Sequence, residues 1–145
     1  MPGTIFNQLN LIAEDLDSTL AFYRRLGVEF GDPARTADGD PFHANSGDGE
    51  GALLEADSPA FARIWNQGWK DEPALAGRVV VGLRVEDRAA VDRLYAETVA
   101  AGHKGLQPPF DAFWGARYAV VEDPDGIAVG LMSPVDAAHR SPPPF

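Results

Sequence analysis

The chain predicts an α+β fold of two tandem β-α-β-β-β modules, their strands forming a curved mixed sheet or partial barrel with the helices on its outer face. Three observations carry this: each half opens on a strand pattern followed by a helix pattern, the same order returns about half a chain later, and turn-separated strand runs close each half.

In "IFNQLNLIAEDLD" Leu9 and Leu11 alternate with Gln8 and Asn10, the period of two of a strand buried on one side. "DLDSTLAFYRRLG" then offers Asp15 or Asp17 as N-cap, Leu20, Tyr23 and Leu26 at helical spacing, and Gly27 just past the end. In the second half "RVVVGLRVED" alternates Val79, Val81, Leu83 and Val85 against Val80, Gly82 and Arg84. Asp87 then caps a helix with an apolar stripe of Val91, Leu94, Tyr95, Thr98 and Val99, closing on Gly102.

Strands follow near 117–122 and 127–132, joined by "DPDG", where Pro124 and Gly126 suit the two turn corners. In the first half they fall near 28–31, 41–45 and 51–56, within an acidic stretch rich in Gly and Pro that reads as surface turns or a mobile flap. Ser58 and Pro59 start a third helix whose face is Phe61, Ile64 and Trp65. The organisation is therefore one domain over 1–145, with modules of about 4–57 and 78–134, a bridging helix near 58–69, and an extended tail at 135–145 ending in "SPPPF".

Composition excludes several functions. There is no cysteine, hence no disulfide, thiolate metal site or cysteine nucleophile. A net charge of −10, from 12 Lys and Arg against 22 Asp and Glu, repels a phosphate backbone, so nucleic acid is not an expected partner. No apolar window approaches the roughly 20 residues of a membrane helix, and the opening lacks the pattern of a signal peptide. A cytoplasmic protein is expected.

The ordered motifs, an Asp-Leu-Asp before an "AFYRRLG" helix and a closing "FWGARYAVVEDPDG", resemble the vicinal-oxygen-chelate superfamily of glyoxalase, bleomycin-resistance and extradiol-dioxygenase proteins, over about Ile5 to Ser133. The resemblance implies a concave ligand-binding face. In metal-dependent members it implies a divalent ion held by His or Gln on the first strand of each module and Glu on the last. The corresponding positions here are Gln8 and Glu55 in the first module, Val80 and Gly130 in the second. Val and Gly offer no donor and Gln is a weak neutral ligand, so no metal or other cofactor is favoured; Gln8 and Glu55 are the ligand candidates if a metal binds. His43, His103 and His139 fall off the expected concave strands and read as solvated.

Strand alternation turns Gln8, Asn10, Ile12, Val80, Gly82, Arg84, Ala128, Gly130 and Met132 toward the cavity. Gly82 and Gly130 make room for a ligand or for a packed aromatic ring. Arg84 needs an anion, which Glu55, Glu122 or an acidic ligand supplies. Phe110, Phe113 and Trp114 form a stacking wall, a lid, a piece of core or a dimer contact; Trp65 and Trp69 invite the same readings. The expected binding residues are Gln8, Asn10, Arg84, Phe113, Trp114, Gly130 and Met132. The expected function is metal-free binding of a planar or amphipathic small molecule by a homodimer, of the drug-sequestering type. The alternatives are a metal-dependent lyase, isomerase or dioxygenase, or a metal-free acid–base catalyst using Glu55 or Glu122.

Overall fold

The computed structural model describes residues 8–47, 52–67 and 79–144. The chain divides into two compact units, Met1–Glu72 and Pro73–Phe145, each built on the same plan.

In the first unit strand β1 (Gln8–Ile12) leads into helix α1 (Leu16–Arg25), followed by β2 (Ala34–Arg35), β3 (Pro41–Asn45), β4 (Leu53–Asp57) and helix α2 (Pro59–Trp65). The sheet order is β1-β4-β3-β2, with β1 parallel to β4 and the other pairs antiparallel. Asp15 is the N-cap of α1: its carboxylate accepts the Ser18 backbone N–H at 3.1 Å, a bond that lowers its pKa. The helix buries Leu16, Thr19, Leu20, Phe22 and Tyr23, and packs against β3 and β4. Leu11, Ala44 and Ala56 are buried with them.

The second unit repeats this with β5 (Val80–Arg84), α3 (Arg88–Ala100), β6 (Gly105–Asp111), β7 (Arg117–Glu122) and β8 (Ala128–Met132), in the order β5-β8-β7-β6. Again the first and last strands pair in parallel, Val80 to Ala128 through Arg84 to Met132. Asp87 caps α3 by accepting the Ala90 N–H at 2.8 Å. Val91, Leu94 and Thr98 face the sheet, but Val99 is exposed and drops out of the expected stripe. No helix of the described residues is long and apolar enough to cross a membrane.

Several expectations are corrected. The strand near 28–31 is a single bridge, Phe30 to Ser46, and the real second strand is the two residues of β2. β6 has no counterpart among the expected strands: Pro108 and Pro109 argue against it, yet it lies at the sheet edge, where bulges between Gly105 and Phe110 absorb the missing donors. On α2, Phe61 meets Phe42 edge-on at 5.2 Å, while Ile64 and Trp65 are 76% and 46% exposed. The bridging helix is shorter than expected, ending at Trp65 with Asn66 as its C-cap; positions 68–69, Trp69 included, and the start of the strand at 51 lie outside the described residues. The tail is not merely extended: a 3-10 turn at Ala137–His139 is capped by Asp136, whose pKa is lowered by the Ala138 backbone N–H it accepts.

Candidate functional site

The first unit carries a chain of polar side chains on one sheet face. Registers Asn10 to Glu55 and His43 to Asp57 set these residues side by side. Gln8 Nε2 donates to Asn10 Oδ1 at 2.9 Å and to Glu55 Oε2 at 3.1 Å. Asn10 Nδ2 in turn donates to Glu55 Oε2 at 3.1 Å and to Asp57 Oδ2 at 3.0 Å. The second Asp57 oxygen lies 2.6 Å from His43 Nδ1, and Asp57 is only 1% exposed. A carboxylate at Asp57 only accepts, so in this contact the proton sits on His43 Nδ1. His43 thus lies on the strand expected at 41–45 and is paired rather than solvated, because its partner Asp57 is remote in sequence.

His43, Glu55 and Asp57 bring ligand atoms within 4.8 Å of one another, close enough to share a metal ion. Both Asp57 oxygens are already engaged, and Glu55 Oε2 accepts two amide hydrogens. Gln8 turns its nitrogen rather than its oxygen to Glu55. In the second unit the positions that the resemblance assigns to ligands are Val80, 45% exposed, and Gly130, buried. The donor set does not fit the four-ligand ion of the metal-dependent members.

The second unit holds a cavity of about 510 Å³ lined by Val80, Gly82, Leu83, Arg84, Trp114, Tyr118 and Met132, within the size range of small-molecule sites. β5 contributes Val80, Gly82 and Arg84, its residues opposite to the buried Val81. Tyr118, from β7, is in register with Met132 of β8. Trp114 stands in the turn between β6 and β7, edge-on to Tyr118 at 5.7 Å, to Phe113 at 5.2 Å and to Phe110 at 6.3 Å.

Backing residues hold this wall still. Arg117 hydrogen-bonds Asp92 at 2.9 Å and Asp111 at 3.2 Å, and the Asp92 bond, first, then Asp111 hold its pKa above the ordinary guanidinium value. Arg88 is also paired with Asp111. The tail closes from behind: Arg140 Nε donates to the Trp114 carbonyl at 3.3 Å, Ser141 N to the Phe113 carbonyl at 2.9 Å, and Asp136 N to the Gly115 carbonyl at 2.9 Å. Gly115, at φ +99°, has no room for a side chain, since a Cβ would meet the Asp136 carbonyl oxygen at 2.5 Å.

Among the expected binding residues, the cavity gathers Arg84, Trp114 and Met132, together with Tyr118, which sequence reasoning missed although it lies in the quoted strand. Gln8 and Asn10 belong to the polar chain of the first unit, and Phe113 backs Trp114. Gly130 is corrected: the space it leaves is filled by the Tyr118 ring, not by the cavity, a Cβ there falling 2.5 Å from Tyr118 Oη. Gly130→Ala should therefore cost about 1–3 kcal/mol, the usual range for overpacking. Tyr118→Phe in the same chain should restore much of the loss in thermal melts, and an unchanged melting temperature for Gly130→Ala alone would refute the packing account. Gly82, with nothing within 4 Å of its missing Cβ, does face open space. The expected ion pair of Arg84 is also absent: no partner for it is found among the described residues, while Arg88, Arg93, Arg117 and Arg140 of the same unit each hold a carboxylate or carbonyl.

None of the curated proteins matches this chain. Among solved structures, a glyoxalase-related enzyme from Fulvimarina pelagi superposes with a TM-score of 0.70 at 21% identity, over 92% of this chain and 93% of the other. A glyoxalase/bleomycin resistance protein/dioxygenase from Nocardioides gives 0.66 at 23% identity, covering 94% and 87%. A lactoylglutathione lyase from Agrobacterium tumefaciens gives 0.61 at 20%, covering 92% and 96%. These likenesses establish the fold. The family model of the Glyoxalase/Bleomycin resistance protein/Dioxygenase superfamily matches residues 5–131, which with the repeated β-α-β-β-β plan means that the chain belongs to that superfamily, of vicinal-oxygen-chelate fold.

Proposed function

We propose that this protein binds a planar, largely apolar small molecule in the second-unit cavity, without a metal and without transforming it, as a cytoplasmic homodimer of the sequestering kind. The observation that carries the reading is the cavity of about 510 Å³ with Trp114, Tyr118, Val80, Leu83 and Met132 on its walls. Aromatic rings fixed edge-on to one another present a rigid apolar face, which binds a flat partner with little ordering cost. The acid–base alternative through Glu55 has less support. That carboxylate lies in the first unit, with one oxygen already accepting from Gln8 and Asn10.

Tryptophan fluorescence tests the reading. Titration with a panel of planar aromatic compounds should give saturable quenching that Trp114→Ala removes and that added zinc, nickel, manganese or iron does not enhance. Absence of quenching across the panel would overturn the binding reading, and near-stoichiometric metal in the purified protein would overturn its metal-free part. Sedimentation at the 15.5 kDa of a single chain would remove the dimer.

A further inference from the structure

The proposed cavity has an unusual polar inventory for so acidic a chain. With 22 Asp and Glu in the sequence, no carboxylate lines it among the described residues. Its polar side chains are the Arg84 guanidinium, the Tyr118 hydroxyl and the Trp114 indole N–H: one cation, one group that donates or accepts, and one that only donates. No protein partner for Arg84 is found among the described residues, and none for the Tyr118 hydroxyl or the Trp114 indole. Elsewhere in the unit arginines are held: Arg117 by Asp92 and Asp111, Arg88 by Asp111, Arg93 by Glu97, Arg140 by the Trp114 carbonyl.

From this donor-rich lining we infer that the cavity selects planar aromatic anions, carboxylates above all, over neutral and cationic molecules of the same shape. The inference rests on the binding reading above and adds the charge of the ligand. The aromatic body lies against Trp114, Tyr118 and Met132, and the carboxylate takes the planar fork of Arg84, which matches two carboxylate oxygens at once. A cation would meet Arg84 with no counter-charge in the lining. A neutral amide would leave the guanidinium without its ion. The net charge of −10 works against long-range attraction of any anion, so selection has to come from short-range contact with Arg84.

Three molecules of one shape separate the outcomes: 2-naphthoate, 2-naphthamide and 2-naphthylmethylamine, titrated calorimetrically into the wild-type protein and into Arg84→Gln and Trp114→Ala. The naphthoate should bind at least tenfold tighter than the amide, and the amine weakest. Arg84→Gln should remove the advantage of the anion while leaving the amide affinity within about twofold, and Trp114→Ala should weaken all three. Equal affinities for the three in the wild-type protein, or an anion preference that survives Arg84→Gln, would overturn the inference and leave the binding reading intact. Binding of none of them overturns both. Thermal melts of the two variants confirm that each remains folded.

Discussion

Tyr23→Ala should destabilise the protein by about 3–5 kcal/mol, the range for truncating a fully buried aromatic side chain. Tyr23 has no exposed surface. Its ring meets Phe22 edge-on at 5.1 Å and Phe30 at 6.1 Å, so it joins α1 to the chain that leaves the helix. Its carbonyl also accepts from Leu26 and Val28, and those main-chain bonds survive the substitution. The packing part of the loss is a large cavity under α1 that backbone already pinned at Leu26 and Val28 cannot collapse to fill. Domains are usually stable by only about 5–15 kcal/mol, so this removes a substantial fraction of the total. Urea unfolding reads it directly, and a loss below about 1 kcal/mol would mean that the site relaxes. Tyr23→Phe, keeping the ring, should cost far less.

Asp57→Ala should be the next most damaging change, at about 1–3 kcal/mol, because it removes a buried acceptor from two half-buried donors, Asn10 and His43. Asp57→Asn is the informative companion. An amide in that position can accept from Asn10 with its oxygen and donate to His43 with its nitrogen, provided that His43 moves its proton from Nδ1 to Nε2. The expectation is that the Asn variant retains most of the stability that the Ala variant loses. Nitrogen-15 spectra of the imidazole should report the tautomer change. Equal destabilisation by the two, or an unmoved tautomer in the Asn variant, would show that the hydrogen-bond chain does not govern His43.

The parts of the fold written in short-range pattern were legible without a structure. Asp15 and Asp87 announce two helices at corresponding places, and the alternation around Leu11 and Val81 identifies the first strand of each unit and its buried face. The failures have a common origin in contacts remote in sequence. β8 alternates on paper, but it lies between β5 and β7 and under the Tyr118 ring, so Ala128 through Leu131 are all buried. β6 keeps its place despite two prolines because an edge strand has only one neighbour to satisfy. His43 looked solvated although its strand was expected at 41–45, because only the register of β3 with β4 sets it beside Asp57. That Arg84 and Trp114 line the cavity could be anticipated, since a cation on an alternating strand and an aromatic cluster before another stand out in composition. The filling of Gly130 by Tyr118 was not, because glycine records that space exists but not what occupies it.

The tail that grips the Trp114 turn gives the cavity wall an adjustment screw outside the sheet. Trp114 and its neighbours are held through their main-chain carbonyls by Arg140, Ser141 and the backbone of Asp136, all beyond the last strand. Lengthening, shortening or rewriting that segment would tilt the indole without disturbing β5, β7 or β8. The shape of the cavity can thus drift by changes to residues that do not line it, while the scaffold around it stays the same.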